Sequence, residues 1–197
     1  MTNKLSVEQF LSKYYRDSSH AQEVRKLSLM LFDEVNQHLK NMSSKKRDIL
    51  EAAALLHDIG YNIDSKKHNE HSYTLITENG IKGYDDEELE LIALVAKYHR
   101  GNLPDKNKHM AYSLLPKKGR NTVKRLSAIL RICDGLDRAH LKLIKNLKCE
   151  YDEMNSLFII YLNSNINDYL PDIAYAIKKK DLFEKVYKVQ VVFKFEL

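Results

Sequence analysis

Residues 50–63 read LEAAALLHDIGYNI. A run of apolar, helix-forming residues ends here in an adjacent base and acid, His57 and Asp58, followed closely by Gly60. Because glycine is the residue that most often follows the last turn of a helix, the stretch predicts a buried helix that ends at the histidine–aspartate pair. Such a pair either caps the helix or belongs to a site, and the other polar residues that the fold brings to it decide between the two.

Most of the chain shows the spacing of three and four residues between apolar positions that is typical of amphipathic helices. Glycines and helix-capping residues separate the segments. The helices predicted in this way cover residues 6–16, about 19–39, 43 or 44 to the stop at 60, 69–79, 85 to about 100, and 121 onward. The stretch 101–121 contains two prolines among many lysines, and it is predicted to be an irregular basic loop.

The pattern changes near residue 145. The segments LKCEYDE and SLFIIYL are rich in β-branched and aromatic residues, and they predict a β-hairpin. Residues 168–187 predict a helix, and the alternation in KVQVVFKFEL predicts a strand with one apolar face. The predicted fold is therefore mainly α, with a helical domain over residues 1–145 and a small ββαβ subdomain of the α+β type over residues 146–197.

The bulk composition is that of an ordinary globular protein. The chain has 197 residues, of which 44% are hydrophobic and 30% charged. It has no apolar run near the roughly 20 residues that a membrane-spanning helix needs, and its first residues lack the layout of a signal peptide. The two cysteines, Cys133 and Cys149, form no CxxC pair. These features predict a cytoplasmic protein with free thiols and no membrane partner.

The formal net charge is +5, which favours anionic partners. The charge alone does not distinguish a nucleotide from polyphosphate or nucleic acid. Because the sequence shows no aromatic platform for stacking bases, nucleic acid is not an expected partner. The oligomeric state stays open, and a homodimer is one of the expected assemblies.

Five predicted helices carry an imidazole or a carboxylate on the face that should be buried. These residues are His20, His57, His71, His99 and Asp134. One such residue is more often a hydrogen-bonded core residue than a ligand, but burying several together is costly unless they are paired or bind a metal. His68 is an alternative to His71 as the inward residue of its helix, whereas the surface is the expected place for His38, His109 and His140.

The ordered set His20, His57–Asp58, Asp134 resembles the signature H…HD…D of the HD-domain superfamily of metal-dependent phosphohydrolases. The chain is similar above all to the C-terminal HD region of the exopolyphosphatase/guanosine-pentaphosphatase family. The segments that carry the resemblance are LSLMLFDEV, LEAAALLHDIGYNI, HNEHSYTLI, LIALVAKYHRG and LSAILRICDGLDRAH. The resemblance covers nearly the whole chain and implies a helical HD-type bundle.

The resemblance also implies a ligand set and a cofactor. The residues assigned to a first divalent metal are His20, His57, Asp58 and Asp134, and the candidates for a second ion are His71 and His99. The cofactor would be one or two ions of Mn, Fe, Co, Ni, Zn or Mg. Asp58 or Asp134 would also have a catalytic role by orienting the attacking water.

A phosphate substrate would need cations near this set. The candidates are Arg100, Arg131, Arg138, Lys66 and Arg120. Arg131 and Arg138 flank Asp134 at helical spacing, and Arg100 directly follows His99. A structural salt bridge is an equally good interpretation of Arg100 and Arg131, and solvation explains the loop lysines.

These observations predict a metal-dependent phosphohydrolase that acts on a nucleotide or another small phosphoester. The alternative is a regulatory module that binds a metal and a phosphorylated ligand without turning it over. Two departures from the relatives matter. In full-length members of the family an N-terminal actin-like domain hydrolyses polyphosphate, and this chain is expected to have no room for it. Tyr61 stands where the cyclic-dinucleotide branch of the superfamily has lysine.

Overall fold

The computed structural model describes residues 4–14, 18–164 and 171–196, and the protein is mainly α with a small three-stranded sheet, as predicted. The helices are α1 (Val7–Tyr14), α2 (Ser19–His38), α3 (Ser44–Leu56), α4 (His68–Asn79), α5 (Asp86–Lys97), α6 (Met110–Leu114), α7 (Lys117–Leu136), α8 (Ala174–Lys179) and α9 (Asp181–Tyr187). The strands are β1 (Ile144–Asp152), β2 (Leu157–Ser164) and β3 (Gln190–Glu196). No helix in the described ranges is both long and apolar enough to cross a membrane.

Four helices, α2, α3, α5 and α7, pack against one another to form the helical body. Their predicted apolar stripes face the core, and Val24, Leu27 and Leu31 of α2 are fully buried. A capping box starts α5: the Glu88 N–H donates to the side chain of Asp85, and the Asp85 N–H donates to that of Glu88. Burial of the stripes and local capping therefore favour the same helices.

The predicted loop over residues 101–121 was wrong in its second half. This stretch contains the short helix α6, and α7 begins at Lys117, directly after Pro116. A proline just before or at the first helical residue loses no intrahelical hydrogen bond, because the N–H groups of the first turn have no partner in the helix. Pro116 therefore precedes the helix instead of interrupting it.

The C-terminal segment forms the predicted hairpin and sheet. Strand β1 pairs antiparallel with β2, and β3 lies parallel to β2 on its other side. The single helix predicted over residues 168–187 was wrong, because the described residues form two short helices, α8 and α9, on either side of Lys180; residues 168–170 lie outside the described ranges. Both helices pack on α7, where Ala176 of α8 and Phe183 of α9 are fully buried.

The helical body and the sheet share one continuous group of buried side chains. Strand β1 packs on α2, while α8 and α9 pack on α7. The division into domains at residues 145 and 146 therefore stays a prediction, with β1 beginning at Ile144.

Two glycines permit the close approaches on which the site depends. A Cβ atom at Gly60 would lie 2.3 Å from the carbonyl oxygen of His68 and 2.6 Å from the backbone nitrogen of Ser72. A Cβ atom at Gly135 would lie 2.7 Å from Cα of Ala176. The turn after α3 can thus lie directly on the first turn of α4, and the end of α7 can lie directly on α8.

Candidate metal centre

Imidazoles and carboxylates from different parts of the helical body meet at one buried place. This histidine–aspartate cluster consists of His20, His57, Asp58, His68, His99 and Asp134, all of which are buried. Two overlapping trios have one ligand atom each within 4.8 Å of the others: His20 with His57 and Asp134, and His57 with Asp58 and His99. The fold therefore brings together the four residues predicted for a first metal, and it adds His99 to them.

Three of the imidazoles are oriented in the same way. Nδ1 of His57, of His68 and of His99 lies 2.7–2.8 Å from the carbonyl oxygen of the residue three positions earlier in the chain. A carbonyl oxygen only accepts hydrogen bonds, so Nδ1 carries the proton in each ring. In a neutral imidazole this leaves a lone pair on Nε2, the arrangement that second-sphere hydrogen bonds give to metal-ligating histidines.

The rings that point into the cluster are held neutral by burial. Burial lowers the pKa of His57, and it lowers the pKa of His99 well below the usual value, with nearby His57 adding to the effect. Desolvation disfavours the charged form of an imidazole. Both Nε2 atoms are therefore available as electron-pair donors near neutral pH.

The inward atoms lie close to one another, and two of them lack a hydrogen-bond partner among the residues that the structure describes. Nε2 of His68 lies 3.2 Å from Nε2 of His99 and 3.1 Å from Oδ1 of Asp58. Within the described residues, Nε2 of His57 and Oδ1 of Asp58 have no hydrogen-bond partner. Buried polar atoms are rarely left unpaired, and a cation or a shared proton between these atoms would offset the repulsion of lone pairs that face one another. Imidazole nitrogens and carboxylate oxygens in this arrangement fit a divalent transition metal.

His20 is oriented by a carboxylate instead of a carbonyl. Its Nδ1 lies 2.8 Å from Oδ2 of Asp137, and its Nε2 lies 3.3 Å from Oδ1 of Asp134. Burial alone would lower the pKa of His20, but the two carboxylates outweigh it and raise the pKa to about 9. Asp137 thus directs Nε2 of His20 into the cluster.

The prediction that His71 faces the cluster was wrong, because His68 occupies that place. The inward stripe of α4 consists of His68, Ser72 and Ile76, all buried, whereas His71 and Leu75 are half-buried. The helical period predicted for α4 was right, but the inward face lies one residue away from the phase that His71 would need, and it carries the alternative residue His68. The Ser72 hydroxyl fixes this phase, since it donates to the His57 carbonyl and accepts from the Gly60 N–H.

Arg100 and Arg131 differ in what their guanidinium groups contact. The Arg100 group lies against the cluster histidine His68. Nη1 of Arg100 lies 3.3 Å from Nδ1 and 3.4 Å from Nε2 of His68. Arg131 is buried and donates to the backbone carbonyls of Tyr98 and Gly101. Arg131 therefore holds the end of α5 in place, and its Nη2 lies 3.7 Å from a carboxylate oxygen of Asp181. These contacts support the salt-bridge interpretation of Arg131, and its role in binding phosphate stays a prediction.

The other predicted substrate cations do not contact the cluster. Arg138 is exposed, with its guanidinium carbon 5.2 Å from the centroid of the Tyr175 ring. Lys66 is exposed. Arg120 donates to the carbonyls of Ser113 and Leu115, and it lines a separate basic surface cavity of about 490 Å³ to which no cluster side chain contributes.

Three residues at the cluster were not found from the sequence. Asp137 orients His20, and the ring of His140, which is exposed as predicted, stacks on that of His20 with centroids 3.9 Å apart. Lys179 of α8 forms an ion pair with Asp134. The segment LRICDGLDRAH contains Asp137 and His140 at three and six residues after Asp134, so helical spacing offered a signal for these two. Nothing local in the sequence connects Lys179 with Asp134.

Lys179 and the neighbouring imidazoles keep the Asp134 carboxylate ionised. Burial alone would raise the pKa of Asp134, but Lys179 and the neighbouring imidazoles outweigh burial and hold the pKa well below the usual range. The ionised carboxylate presents Oδ1 to the imidazoles of His20 and His57, at 3.3 and 3.7 Å.

The sequence was also compared with known proteins. A family model described as "Ppx/GppA phosphatase, domain III" matches residues 3–181, which include the whole cluster and Lys179. The chain belongs to this family. The match concerns domain III of these phosphatases, and it does not extend to the wider HD superfamily.

Curated relatives are similar to about half to two thirds of the chain. Proteins named guanosine-5'-triphosphate,3'-diphosphate pyrophosphatase are similar to it in Pseudoalteromonas translucida (32% identity over 100 residues, 51% of this chain and 20% of the relative), Vibrio vulnificus (31% over 121 residues, 61% and 23%) and Aeromonas salmonicida (28% over 130 residues, 64% and 25%). The aligned region thus spans a fifth to a quarter of these relatives.

Proposed function

We propose that the histidine–aspartate cluster binds a divalent metal and that the protein uses it to hydrolyse a phosphoester of a nucleotide. The observation that carries this proposal is the set of inward lone pairs. The Nε2 atoms of His57, His68 and His99 face Asp58 at 3.1–3.5 Å, and each ring is fixed by a backbone carbonyl. In a core with only a structural role, a proton donor would be expected to face the Asp58 carboxylate in place of these lone pairs.

The proposed ligands of the first ion are His20, His57, Asp58 and Asp134. His68 and His99 take the place that the sequence assigned to the ligands of a second ion. A divalent metal bound there would polarise a phosphoryl oxygen and activate water. A mixed nitrogen and oxygen set suits Mn, Fe, Co, Ni or Zn better than Ca.

The protein's own groups have separate tasks in this proposal. Asp58 or Asp134 accepts a hydrogen bond from the attacking water and so orients it. Asp137 keeps the His20 ring in position, and Ser72 holds α4 against the His57–Asp58 turn. The Arg100 guanidinium, which is half-buried next to His68, pairs with a phosphate oxygen.

Two further observations support the choice of a nucleotide. The relatives named above are pyrophosphatases of a guanosine nucleotide, and the chain belongs to the same phosphatase family. The order H…HD…D and the convergence of those four residues support, in addition, a relationship to the HD-domain phosphohydrolases. The expected location of the protein is the cytoplasm, where such nucleotides occur.

Phosphate release tests the proposal. Purified protein with Mn²⁺ is expected to release phosphate from guanosine 5′-triphosphate or its 3′-diphosphate derivative, and to stop when the metal is chelated. Asp134→Asn is expected to lower the rate roughly 100-fold, since even outer partners of metal ligands cost 10–100-fold. The matched control is His71→Ala, which removes an imidazole that lies outside the cluster and should leave the rate unchanged.

The alternative is a regulatory module that binds a metal and a phosphorylated ligand without turnover. The observation that favours it is the Lys179–Asp134 ion pair, because a lysine competes with the metal for this carboxylate. Tight nucleotide binding by Mn²⁺-loaded protein without phosphate release would replace the enzyme proposal with this one. Equal phosphate release by wild-type protein and Asp134→Asn would contradict a catalytic role of the cluster.

A further inference from the structure

Lys179 lies at the rim of the cluster, on the far side of Asp134 from the imidazoles. Its ammonium group contacts Oδ2 of Asp134, whereas Oδ1 of the same carboxylate faces His20 and His57. The lysine side chain keeps 17% of its surface exposed. The ammonium group is therefore adjacent to the proposed metal position and still open to solvent.

The fold holds Lys179 in this position through a backbone contact. Helices α7 and α8 meet so closely at Gly135 and Ala176 that a Cβ atom on Gly135 would lie 2.7 Å from both the nitrogen and Cα of Ala176. Asp134 precedes Gly135, and Lys179 lies almost one helical turn after Ala176. The contact thus fixes the distance between the two charged groups.

The charge of the cluster requires such a cation for a phosphate ligand. Asp58 and Asp134, together with Asp137 next to the cluster, carry three negative charges. With His20 bound to the metal as a neutral ring, one divalent ion would leave an excess of one negative charge. A phosphate anion approaching that site would be repelled. Lys179 removes the excess, and Arg100 then makes the site positive. Arg131 is less suited to this purpose, because its Nη1 donates to two backbone carbonyls and its Nη2 lies 3.7 Å from Asp181.

We propose that Lys179 is a substrate-binding residue that leaves Asp134 for a phosphate oxygen when the cluster holds a metal. This inference rests on the proposed function, because it needs a metal to take over Asp134. A lysine suits the exchange, since its ammonium group is a compact charge on a flexible chain and presents three donors in any direction. The small sheet-containing segment would in this way complete a site that is otherwise built by the helical body.

Calorimetry with Mn²⁺ followed by inorganic phosphate tests the inference without measuring turnover. Lys179→Met keeps the aliphatic chain and removes the charge. It is expected to bind Mn²⁺ at least as tightly as wild-type protein, because a competing cation is gone. Its Mn²⁺-loaded form is expected to bind phosphate roughly 10-fold or more weakly, as for the loss of one charged hydrogen bond. The control Lys178→Met alters the neighbouring lysine, which lies 5.4 Å from the Tyr175 ring centroid, and should change neither affinity.

The outcomes separate the inference from the proposed function. Unchanged phosphate affinity in Lys179→Met, no phosphate binding by Mn²⁺-loaded wild-type protein, or loss of Mn²⁺ from the variant would overturn the inference alone. No Mn²⁺ binding by wild-type protein would overturn the proposed function and this inference with it. If circular dichroism shows that Lys179→Met does not fold, Lys179→Gln, which keeps a donor for Asp134, replaces it with the same expectations.

Discussion

The hydroxyl of Ser72 should contribute more to stability than that of an equally buried serine elsewhere. Ser72 is fully buried and bridges α4 to the His57–Asp58 turn, donating to the His57 carbonyl at 2.8 Å and accepting from the Gly60 N–H at 3.0 Å. Ser72→Ala would leave both backbone groups buried without a partner. Each such group costs about 1–3 kcal/mol, while alanine in place of serine returns up to about 0.5 kcal/mol of helix propensity. The expected loss of unfolding free energy is therefore about 1.5–5.5 kcal/mol.

Ser127 provides the matched control. It is also fully buried on a helix, but within the described residues its hydroxyl has no hydrogen-bond partner. Ser127→Ala removes an unpaired buried group and improves helix propensity, so stability should stay the same or rise by about 0.5–1 kcal/mol.

Urea unfolding of the metal-free proteins, followed by circular dichroism, measures both changes. For a chain of this size a loss of 2 kcal/mol corresponds to a decrease in Tm of about 4–8 °C. Ser72→Ala should also weaken Mn²⁺ binding, since α4 carries His68 into the cluster, whereas Ser127→Ala should not. If the two variants unfolded within 0.5 kcal/mol of each other, the bridge would not hold α4 in the phase described here.

Three further predictions concern the ligands, a buried arginine and the thiols. His57→Ala should lower Mn²⁺ affinity at least about 10-fold while His71→Ala leaves it unchanged in calorimetry; equal losses would mean that both rings lie at the metal. Arg131→Met should lower the unfolding free energy by about 1.5–3 kcal/mol, because the variant leaves two backbone carbonyls without their charged donor; a wild-type urea midpoint would contradict the assigned bonds. Cys133 and Cys149 should not react with a thiol reagent at pH 8 until the protein unfolds, since burial raises the pKa of both thiols, that of Cys133 to about 12. Rapid labelling of the folded protein would contradict this. In the unfolded chain the two thiols ionise above their ordinary pKa of about 8.5, whereas in the folded protein they stay protonated. The free energy of unfolding should therefore also fall as the pH rises from about 8.5 toward 12.

The helices and the metal-ligand candidates were predictable because both follow from local rules. Apolar spacing located α2, α3, α5 and most of α7, and the position of His20, His57 and Asp134 along these stripes predicted that they would meet. The hairpin and the last strand were predictable from alternation of β-branched and aromatic residues. These signals lie within one turn or one strand, so they need no knowledge of the packing.

The errors arose where tertiary contacts decide. On α4, the apolar residues allow two phases that differ by one residue, and the bridge from Ser72 to Gly60 and His57 selects the phase that brings His68 inward. The contacts of Arg131 depend on carbonyl groups about thirty residues earlier in the chain. Lys179 reaches Asp134 only because Gly135 lets α8 approach α7, and no spacing rule connects residues 45 positions apart.

Location of the bound ion tests the central claim most directly. Crystals of the protein soaked with Mn²⁺ should show an anomalous difference peak inside the histidine–aspartate cluster. The peak is expected within about 2.0–2.3 Å of Nε2 of His20 and His57 and of carboxylate oxygens of Asp58 and Asp134. A Mn²⁺ peak at another place would contradict the account. A cluster that shows no peak after soaking at a saturating Mn²⁺ concentration would contradict it as well.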